Sequence, residues 1–194
     1  MKVSILGLGN IGEYYVRDLS KLGIKIVSAK NSTYSSTIIK TKYINKKYNL
    51  NIKAEKSYLN FFKNSFDTLI ICSPSNKHLL HIKYGLKFNK TIIVEKPLFW
   101  IENCNKIDQF LIAKNILKNK NKIYCNLSNH IFADYYLKLN NKYRIKKNKF
   151  NFIFNTKGNN TYKNIMVDLL PHFFSIFNKL YNFQKITYIK KSIT

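Results

Sequence analysis

Short apolar runs alternate with longer amphipathic stretches over the first 120 residues of the chain. The runs of strand type are Val3–Leu6, Ile24–Ser28, Ile52–Ala54, Phe66–Cys72 and Thr91–Val94. The stretches between them with helical periodicity are 13–22, 32–48, 57–63, 77–88 and 102–117. Strands that alternate with helices through short connections predict an α/β fold with a doubly wound parallel sheet. We therefore expect a first domain over residues 1–120.

The pattern changes beyond a boundary near residue 120. It predicts strands at Lys122–Leu127, Phe150–Asn155 and Gln184–Ile193, with helices over 128–139 and much of 160–181. This order favours a truncated α+β domain over residues 121–194, expected to serve substrate binding and dimerisation. The final strand would be an exposed sheet edge, and such edges pair with other chains unless they are blunted. We expect either blunting by lysines 185, 190 and 191 or a homo-oligomer through this sheet.

The first strand ends directly in a glycine-rich turn, Gly7-Leu8-Gly9-Asn10-Ile11-Gly12, which a helix follows. In this context the first glycine makes a tight turn, the second admits a pyrophosphate, and the third lets helix and strand pack closely. The helix start then offers N–H groups to the phosphates. Three of the six glycines of the chain lie here. The turn predicts a Rossmann dinucleotide site that includes Asn10 and Ile11.

The end of the second strand bears on the choice between NAD and NADP. A site for NAD places a carboxylate there for the ribose hydroxyl, but neither Asp nor Glu occurs between Asp18 and Glu55. The strand leads instead into Lys30, Asn31 and Ser32, with Ser35 beyond. A cation and hydroxyls suit a 2′-phosphate, so we favour NADP over NAD. Lys30 as one more surface lysine is the alternative.

The amino-acid composition indicates which classes of molecule the chain is expected to bind. The chain has 34 basic and 9 acidic residues, a formal net charge of +25, yet only Arg17 and Arg144 are arginines. Specific readers of nucleic acid rely on arginine, so a biased composition explains the lysines better. The charge would still attract polyanions without specificity, and it would attract small anionic substrates. We expect no specific nucleic-acid partner.

Other features of the sequence bear on the expected cellular compartment. No apolar run approaches the length of about 18 residues that a membrane span needs. The N-terminal strand and its glycines lack the pattern of a signal peptide, so none is expected. The three cysteines, Cys72, Cys104 and Cys125, are widely spaced. They fit neither a disulfide framework nor a metal pattern. These features predict a cytoplasmic protein without a metal site.

Two more strand ends carry candidate chemistry. Phe66–Cys72 breaks at Ser73-Pro74-Ser75-Asn76, and Asn76 is expected to N-cap the next helix, which carries His78 and His81. Thr91–Val94 runs into Glu95-Lys96-Pro97, where a cis bond before Pro97 would be tolerated. Ligands of parallel sheets lie at the carboxyl ends of strands, so both segments are expected at the site.

Five motifs in order resemble those of the Gfo/Idh/MocA family of nicotinamide-dependent sugar oxidoreductases. The residues that carry the resemblance are GLGNIG at 7–12, SPSNKH at 73–78, VEKPL at 94–98, LSNHIFAD at 127–134 and DLLPH at 168–172. Ser73 stands where the family has threonine. The chain departs from the family in being C-terminally shortened, and Pro171 is unusual inside a helix because proline cannot donate a helix hydrogen bond.

The resemblance implies an NAD(P)-dependent oxidoreductase of a sugar or sugar nucleotide. It implies that Lys96 lies near the substrate hydroxyl and that Asp168 and His172 complete the catalytic group. It also implies cofactor contacts from the two strand-end segments: Ser73, Pro74, Asn76, His78, Glu95 and Lys96. One alternative is a catalytically inactive shortened relative that binds the dinucleotide with a structural or regulatory role. A basic protein that binds a polyanion is another.

Overall fold

The chain is described by a computed structural model over residues 1–101, 104–118, 122–126, 130–143 and 169–177. It divides into two compact units, Met1–Asn126 and Leu127–Thr194. The strands are β1 (Lys2–Leu6), β2 (Lys25–Lys30), β3 (Lys53–Ala54), β4 (Thr68–Ile71), β5 (Thr91–Glu95) and β6 (Ile123–Asn126). The helices are α1 (Asn10–Lys21), α2 (Tyr34–Tyr48), α3 (Tyr58–Lys63), α4 (Ser75–Lys87), α5 (Lys106–Leu117) and α6 (His130–Tyr143). Residues 169–177 are also helical.

The first unit is built on one sheet whose strands all run parallel, in the order β3-β2-β1-β4-β5-β6. Chain order reverses between β1 and β4, where connections leave toward opposite edges of the sheet. Leu6 at the end of β1 pairs with Lys30 on one side and Ile71 on the other, so the three carboxyl ends are level. Open α/β sheets bind their ligands in the crevice at such a reversal. The predicted doubly wound Rossmann sheet is confirmed.

Both faces of the sheet are buried, which is why β4 is continuously apolar after Thr68 and why Ser4 in β1 bonds to Ser28 of β2. Successive side chains of β4 enter different clusters: Leu69 and Ile71 pack with Phe61 and Phe62, whereas Ile70 packs on the opposite face with the second cluster. In β1, Leu6 joins the first cluster and its neighbour Ile5 the second. This alternation is the period of two of a strand. It buries successive side chains of β1 and β4 on opposite faces of the sheet.

The domain boundary falls later than the sequence pattern places it. The strand predicted at Lys122–Leu127 is β6, and it pairs with β5 in the sheet of the first unit. That unit ends at Asn126, whereas we expected the first domain to end at residue 120. A single parallel strand cannot bury its apolar residues without neighbouring strands. The pairing of β6 with β5 therefore places β6 in the first unit.

Several element ends also differ from the prediction. Helix α1 begins at Asn10 rather than residue 13, and β2 continues to Lys30. Helix α5 begins at Lys106, four residues later than residue 102, because the Asn105 side chain caps it through the N–H of Asp108. The strands predicted at Phe150–Asn155 and Gln184–Ile193 lie outside the described residues. The predicted oligomer seam lies there too.

Candidate functional site

The glycine turn after β1 packs against the segment that follows β4. Gly7 has a φ of +95°, which favours glycine, and its N–H donates to the carbonyl of Lys30 at 2.9 Å. A Cβ on Gly7 would lie 2.6 Å from the backbone of Cys72 and of Ser73. A Cβ on Gly12 would overlap the carbonyl oxygen of Gly7. The first and third glycines therefore have the predicted roles in the turn and in close packing.

The second glycine faces open space. Gly9 is exposed, and a Cβ built there would meet nothing within 4 Å. It is the N-cap residue of α1, and no side chain accepts a hydrogen bond from the first backbone N–H groups of this helix. Asn10 and Ile11 in the first turn are exposed. The backbone N–H groups of a helix start without a cap are donors for an anion. The predicted pyrophosphate position is thus sterically open and flanked by donors.

Helix α4 starts in a similar way on the other side of the crevice. Its N-cap residue is Pro74, and no side chain caps it, whereas Thr33, Ser57 and Asn105 cap α2, α3 and α5. The prediction that Asn76 caps this helix is wrong. The N–H of Lys77 donates to the carbonyl of Pro74 at 2.8 Å, so the helix already begins at Ser75, and Asn76 is an exposed residue of its first turn.

Lys30 and Asn31 are tied into the protein at the end of β2. The Lys30 side chain is buried, its Nζ donates to the carbonyl of Asn31 at 3.1 Å, and it lies 4.7 Å from the ring centroid of Tyr58. Burial lowers the pKa of Lys30. Asn31 accepts the N–H of Leu8 at 2.6 Å through Oδ1 and so supports the glycine turn. The interpretation of Lys30 as a surface lysine is therefore excluded.

The loop from β2 to α2 presents hydroxyls rather than carboxylates. Ser32 and Ser35 are exposed. Glu55, the next acidic residue along the chain, is buried, accepts from Asn64 at 2.9 Å and pairs with Lys53 at 2.8 Å. Its carboxylate is therefore engaged within the protein.

A chain of buried and partly buried groups leads from Lys30 to Ser73. The hydroxyl of Tyr58 lies 2.9 Å from Nε2 of His81, and Nδ1 of His81 lies 2.8 Å from Oγ of Ser73. Burial, followed by the charges of His78, Lys30 and Lys77, lowers the pKa of His81 to about 4. His81 is thus a neutral ring between two hydroxyls, which can donate or accept.

His78 occupies the adjacent turn of α4 and is fully buried. Its Nδ1 lies 2.8 Å from the carbonyl oxygen of Pro97, and its Nε2 lies 2.6 Å from the carbonyl oxygen of Ser73. The ring thus bridges the segments that follow β4 and β5. Of the predicted site residues, Ser73, His78 and the Lys96–Pro97 turn are brought together here, with both His78 nitrogens bonded within the protein.

The carboxylate of Glu95 is held by two side chains that the sequence analysis missed. Oε1 accepts from the hydroxyl of Tyr15 in α1 at 2.8 Å and from Nδ2 of Asn126 in β6 at 2.7 Å. The same amide nitrogen lies 2.8 Å from the Tyr15 hydroxyl. Burial, with the adjacent Glu95 charge, raises the pKa of Tyr15. These three residues join α1, β5 and β6, and no local motif in the sequence connects them.

Lys96 directly follows β5 and is half-buried, and the bond between Lys96 and Pro97 is cis, as predicted. Beyond Pro97 the N–H of Trp100 donates to the carbonyl of Ser75 at 3.3 Å. A cleft of about 420 Å³ lies here beside α4 and is lined by Asn76, Leu79, Leu80, Lys83, Trp100 and Ile101.

The other two residues of the predicted catalytic group belong to the second unit. His172 lies in the helical segment 169–177, where its carbonyl accepts from the hydroxyl of Ser175 at 2.9 Å. Asp168 lies outside the described residues. Within the part of the chain that the structure describes, no cluster of three or more His, Cys, Asp or Glu could hold a metal ion. No helix among the described residues is both long and apolar enough to cross a membrane.

Comparison with known proteins agrees with this architecture. A scyllo-inositol dehydrogenase from Lactobacillus casei, solved with NAD(H) and scyllo-inositol, is 19% identical, with a TM-score of 0.58 over 75% of this chain and 42% of its own. A myo-inositol 2-dehydrogenase from Lactobacillus plantarum is 19% identical, with a TM-score of 0.56 over 73% and 42%. A 3-ketoreductase from Actinomadura kijaniata, in complex with NADP, is 12% identical, with a TM-score of 0.55 over 74% and 43%.

These similarities establish the fold, and the chain spans about four-tenths of the length of these structures. No curated protein matches the chain in sequence. Residues 1–124 match the family described as the oxidoreductase family with an NAD-binding Rossmann fold, GFO_IDH_MocA. That match covers most of the chain and includes the glycine turn, the Ser73–His78 segment and the Lys96–Pro97 turn. The chain belongs to the Gfo/Idh/MocA oxidoreductase family.

Proposed function

We propose that the protein is an NAD(P)-dependent oxidoreductase that transfers hydride between the nicotinamide and a hydroxyl or ketone of a sugar or sugar nucleotide. The observation that carries the proposal is the open glycine turn at the sheet reversal, where α1 begins without a side-chain cap. Family membership supports it. So do the structural neighbours, which include an inositol dehydrogenase bound to NAD(H) and a ketoreductase bound to NADP.

The dinucleotide would lie across the carboxyl ends of β1 and β4. The N–H groups at Asn10, Ile11 and Gly12 would hold its pyrophosphate, and the open side of Gly9 would give the phosphates room. Ser73, Pro74 and Asn76 border the crevice at the start of α4, and Glu95 and Lys96 border it after β5. When bound, the nicotinamide supplies the site that accepts or donates hydride. The protein supplies position and charge.

Lys96, Asp168 and His172 form the proposed catalytic group. An alcohol that loses hydride must also lose its hydroxyl proton, so the reaction needs a base, and the reverse reaction needs an acid. We assign this proton transfer to His172, because an imidazole titrates near neutral pH. The ammonium of Lys96 would polarise the reacting oxygen. Asp168, four residues before His172 in sequence, would orient the imidazole or hold a substrate hydroxyl.

Loss of turnover tests the role of Lys96. We expect Lys96→Met to lower kcat with inositols or sugar nucleotides by about 100-fold or more, the scale of losing one group that stabilises charge on the reacting oxygen. The affinity for NADPH should change little. Lys87→Met, which removes an exposed lysine from the end of α4, is the control and should keep full turnover. Full turnover in Lys96→Met would overturn the assignment. Nucleotide binding without turnover by the unaltered protein would favour the inactive alternative.

NADP is the proposed preference over NAD. The loop after β2 offers the Ser32 and Ser35 hydroxyls, the sequence from Leu19 to Ala54 contains no carboxylate, and the positive charge of Lys30 lies next to this loop. A 2′-phosphate would gain from that charge, whereas the plain ribose of NAD would lack its usual carboxylate partner.

A charge-removing substitution tests this preference with little change in side-chain volume. Lys30→Met removes the ammonium and keeps an unbranched apolar side chain in its place, and we expect it to weaken NADPH binding by about tenfold, or about 1.4 kcal/mol. Binding of NADH should stay the same. Lys25→Met, at the exposed start of the same strand, is the matched control. Equal losses for both nucleotides would show that Lys30 acts through folding and not through the 2′-phosphate.

A further inference from the structure

The hydrogen bonds of His78 restrict its protonation state. Its Nδ1 lies 2.8 Å from one carbonyl oxygen and its Nε2 lies 2.6 Å from another. A carbonyl oxygen can only accept a hydrogen bond, so each ring nitrogen must donate to be satisfied. A neutral ring would place one nitrogen lone pair against an oxygen lone pair within a buried site. Charge-assisted bonds are short, which agrees with both distances.

The neighbouring histidine shows the contrast. The nitrogens of His81 face the hydroxyls of Ser73 and Tyr58, which donate or accept as required, so a neutral ring satisfies both. Two titratable groups, Lys77 and His81, neighbour His78 on its own helix, and Glu95 and Lys96 precede its partner Pro97 in the sequence. Lys30 and Tyr58 lie beyond His81. Two adjacent buried histidines thus differ in the chemistry of their partners.

The two carbonyls that His78 joins belong to different parts of the site. Ser73 follows β4, and its backbone nitrogen is one of the atoms against which Gly7 packs. Pro97 follows Lys96, the first residue after β5. The ring therefore connects the segment against which the glycine turn packs to the segment that carries Lys96. Side-chain bonds of this kind hold reacting groups in productive geometry.

We propose that His78 is a positioning residue: a buried imidazolium that clamps the Ser73 and Pro97 carbonyls and thereby fixes Lys96 relative to the glycine turn. The two hydrogen bonds of His78 lie within the first unit. An effect of His78 on turnover rests on the proposed function of Lys96. The ring is fully engaged, so His78 would act on the cofactor only through the segments it holds.

Nitrogen-15 NMR of the ring tests the protonation state directly. In the full chain at neutral pH we expect both nitrogens of His78 to report as protonated, whereas His81 should show one protonated and one unprotonated nitrogen. An unprotonated nitrogen on His78 would overturn the proposal. The His78→Gln variant assigns the signals, because those of His78 disappear from its spectrum. Glutamine is also a conservative replacement, since it is polar but can donate from only one nitrogen.

Variants test the positioning. Asn45→Ala is the matched control, because Asn45 in α2 also bonds two backbone groups, both of Ile52, at 2.9 Å. Solvent exchange of the backbone amides of Ser73, residues 75–77, Lys96 and residues 98–100 should accelerate at least about tenfold in His78→Ala and not in Asn45→Ala, since local opening governs exchange. In turnover, His78→Ala should lower kcat more than it raises KM for NADPH. Exchange that accelerates evenly over the sheet would reduce His78 to a structural role and overturn the clamp.

The two proposals can fail separately. If NADPH and NADH fail to bind the unaltered protein, the proposed function falls, and the ring protonation and amide exchange still decide the clamp. If nucleotide binds and turnover is present, but the His78 ring is neutral, the function stands and the clamp is wrong.

Discussion

At the residue scale, the glycines of the turn after β1 have different surroundings. Gly12 lies under the carbonyl of Gly7, and Gly7 lies against the backbone of Cys72 and Ser73. Gly9 has no atom within 4 Å of its missing side chain and an ordinary negative φ of −74°. Stability and ligand binding should therefore depend on different glycines of the same motif.

We expect Gly12→Ala to lower the free energy of unfolding by about 3 kcal/mol, because the new methyl meets backbone and not a movable side chain. Gly9→Ala should cost less than about 1 kcal/mol of stability, the scale of a helix N-cap change. It should weaken NADPH binding by about tenfold, since the methyl would occupy the space proposed for the pyrophosphate. Urea unfolding and fluorescence titration measure the two effects. Similar losses of stability in both variants would contradict this separation.

The Tyr15 hydroxyl offers a second test at this scale. Its bonds to Glu95 and Asn126 link α1 to the ends of β5 and β6. Tyr15→Phe removes the donor to a carboxylate, so we expect a loss of about 1.5–3 kcal/mol in urea unfolding. Tyr14→Phe is the control on the same helix, where the tyrosine is 52% exposed. An unchanged free energy of unfolding in Tyr15→Phe would show that the hydrogen bond to Glu95 does not stabilise the fold.

At the element scale, the packing of α4 on the sheet gives stability a dependence on pH. His81 has an ordinary pKa of 6.5 and a pKa of about 4 in the fold. The unfolded chain therefore binds more protons between these values, and the fold loses stability as pH falls through that window. The full effect is about 3 kcal/mol, of which about 2 kcal/mol should be lost between about pH 7.5 and about pH 5.

Urea unfolding at both pH values measures this loss. His81→Gln keeps an uncharged polar group beside Tyr58 and Ser73, and it should reduce the difference between the two pH values. Glu13 differs from His81 in the cause of its shift, because a hydrogen bond with Lys47 and not burial lowers its pKa. An unchanged pH dependence in His81→Gln would show that another group is responsible.

Sequence patterns predicted the elements and their parallel order, because strand hydrophobicity and glycine turns are local signals. They did not predict how the strand ends pair. Tyr15 is separated from Glu95 by 80 positions and from Asn126 by 111, and only the folded sheet brings them together. The burial of Lys30 depends on the Tyr58 ring, which comes from a different helix. The start of α4 was misplaced because Pro74 and Asn76 both carry helix-start signals.

At the scale of the whole molecule, the strong positive charge affects every binding experiment. A net charge of +25 attracts anions without specificity, and nucleotides are anions. At an ionic strength of about 0.15 M, exposed charges are screened beyond about 8 Å. Binding that persists at this salt and depends on Gly9 would belong to the crevice and not to the lysine-rich surface.

Association between copies is also a property of the whole molecule. The homo-oligomer proposed through the C-terminal sheet involves residues 184–193, outside the described residues. A cytoplasmic location remains a proposal from cysteine usage. Both are independent of the nucleotide site in the first unit.

The central claim is that a pyridine dinucleotide binds across the start of α1, and titration of NADPH fluorescence at physiological salt tests it most directly. The account predicts saturable binding at one site per chain in the micromolar range, weaker binding of NADH, and a loss of affinity in Gly9→Ala with the fold intact. Absence of saturation with either nucleotide at millimolar protein or ligand would contradict it. Equal binding by the Gly9→Ala protein would place the nucleotide elsewhere.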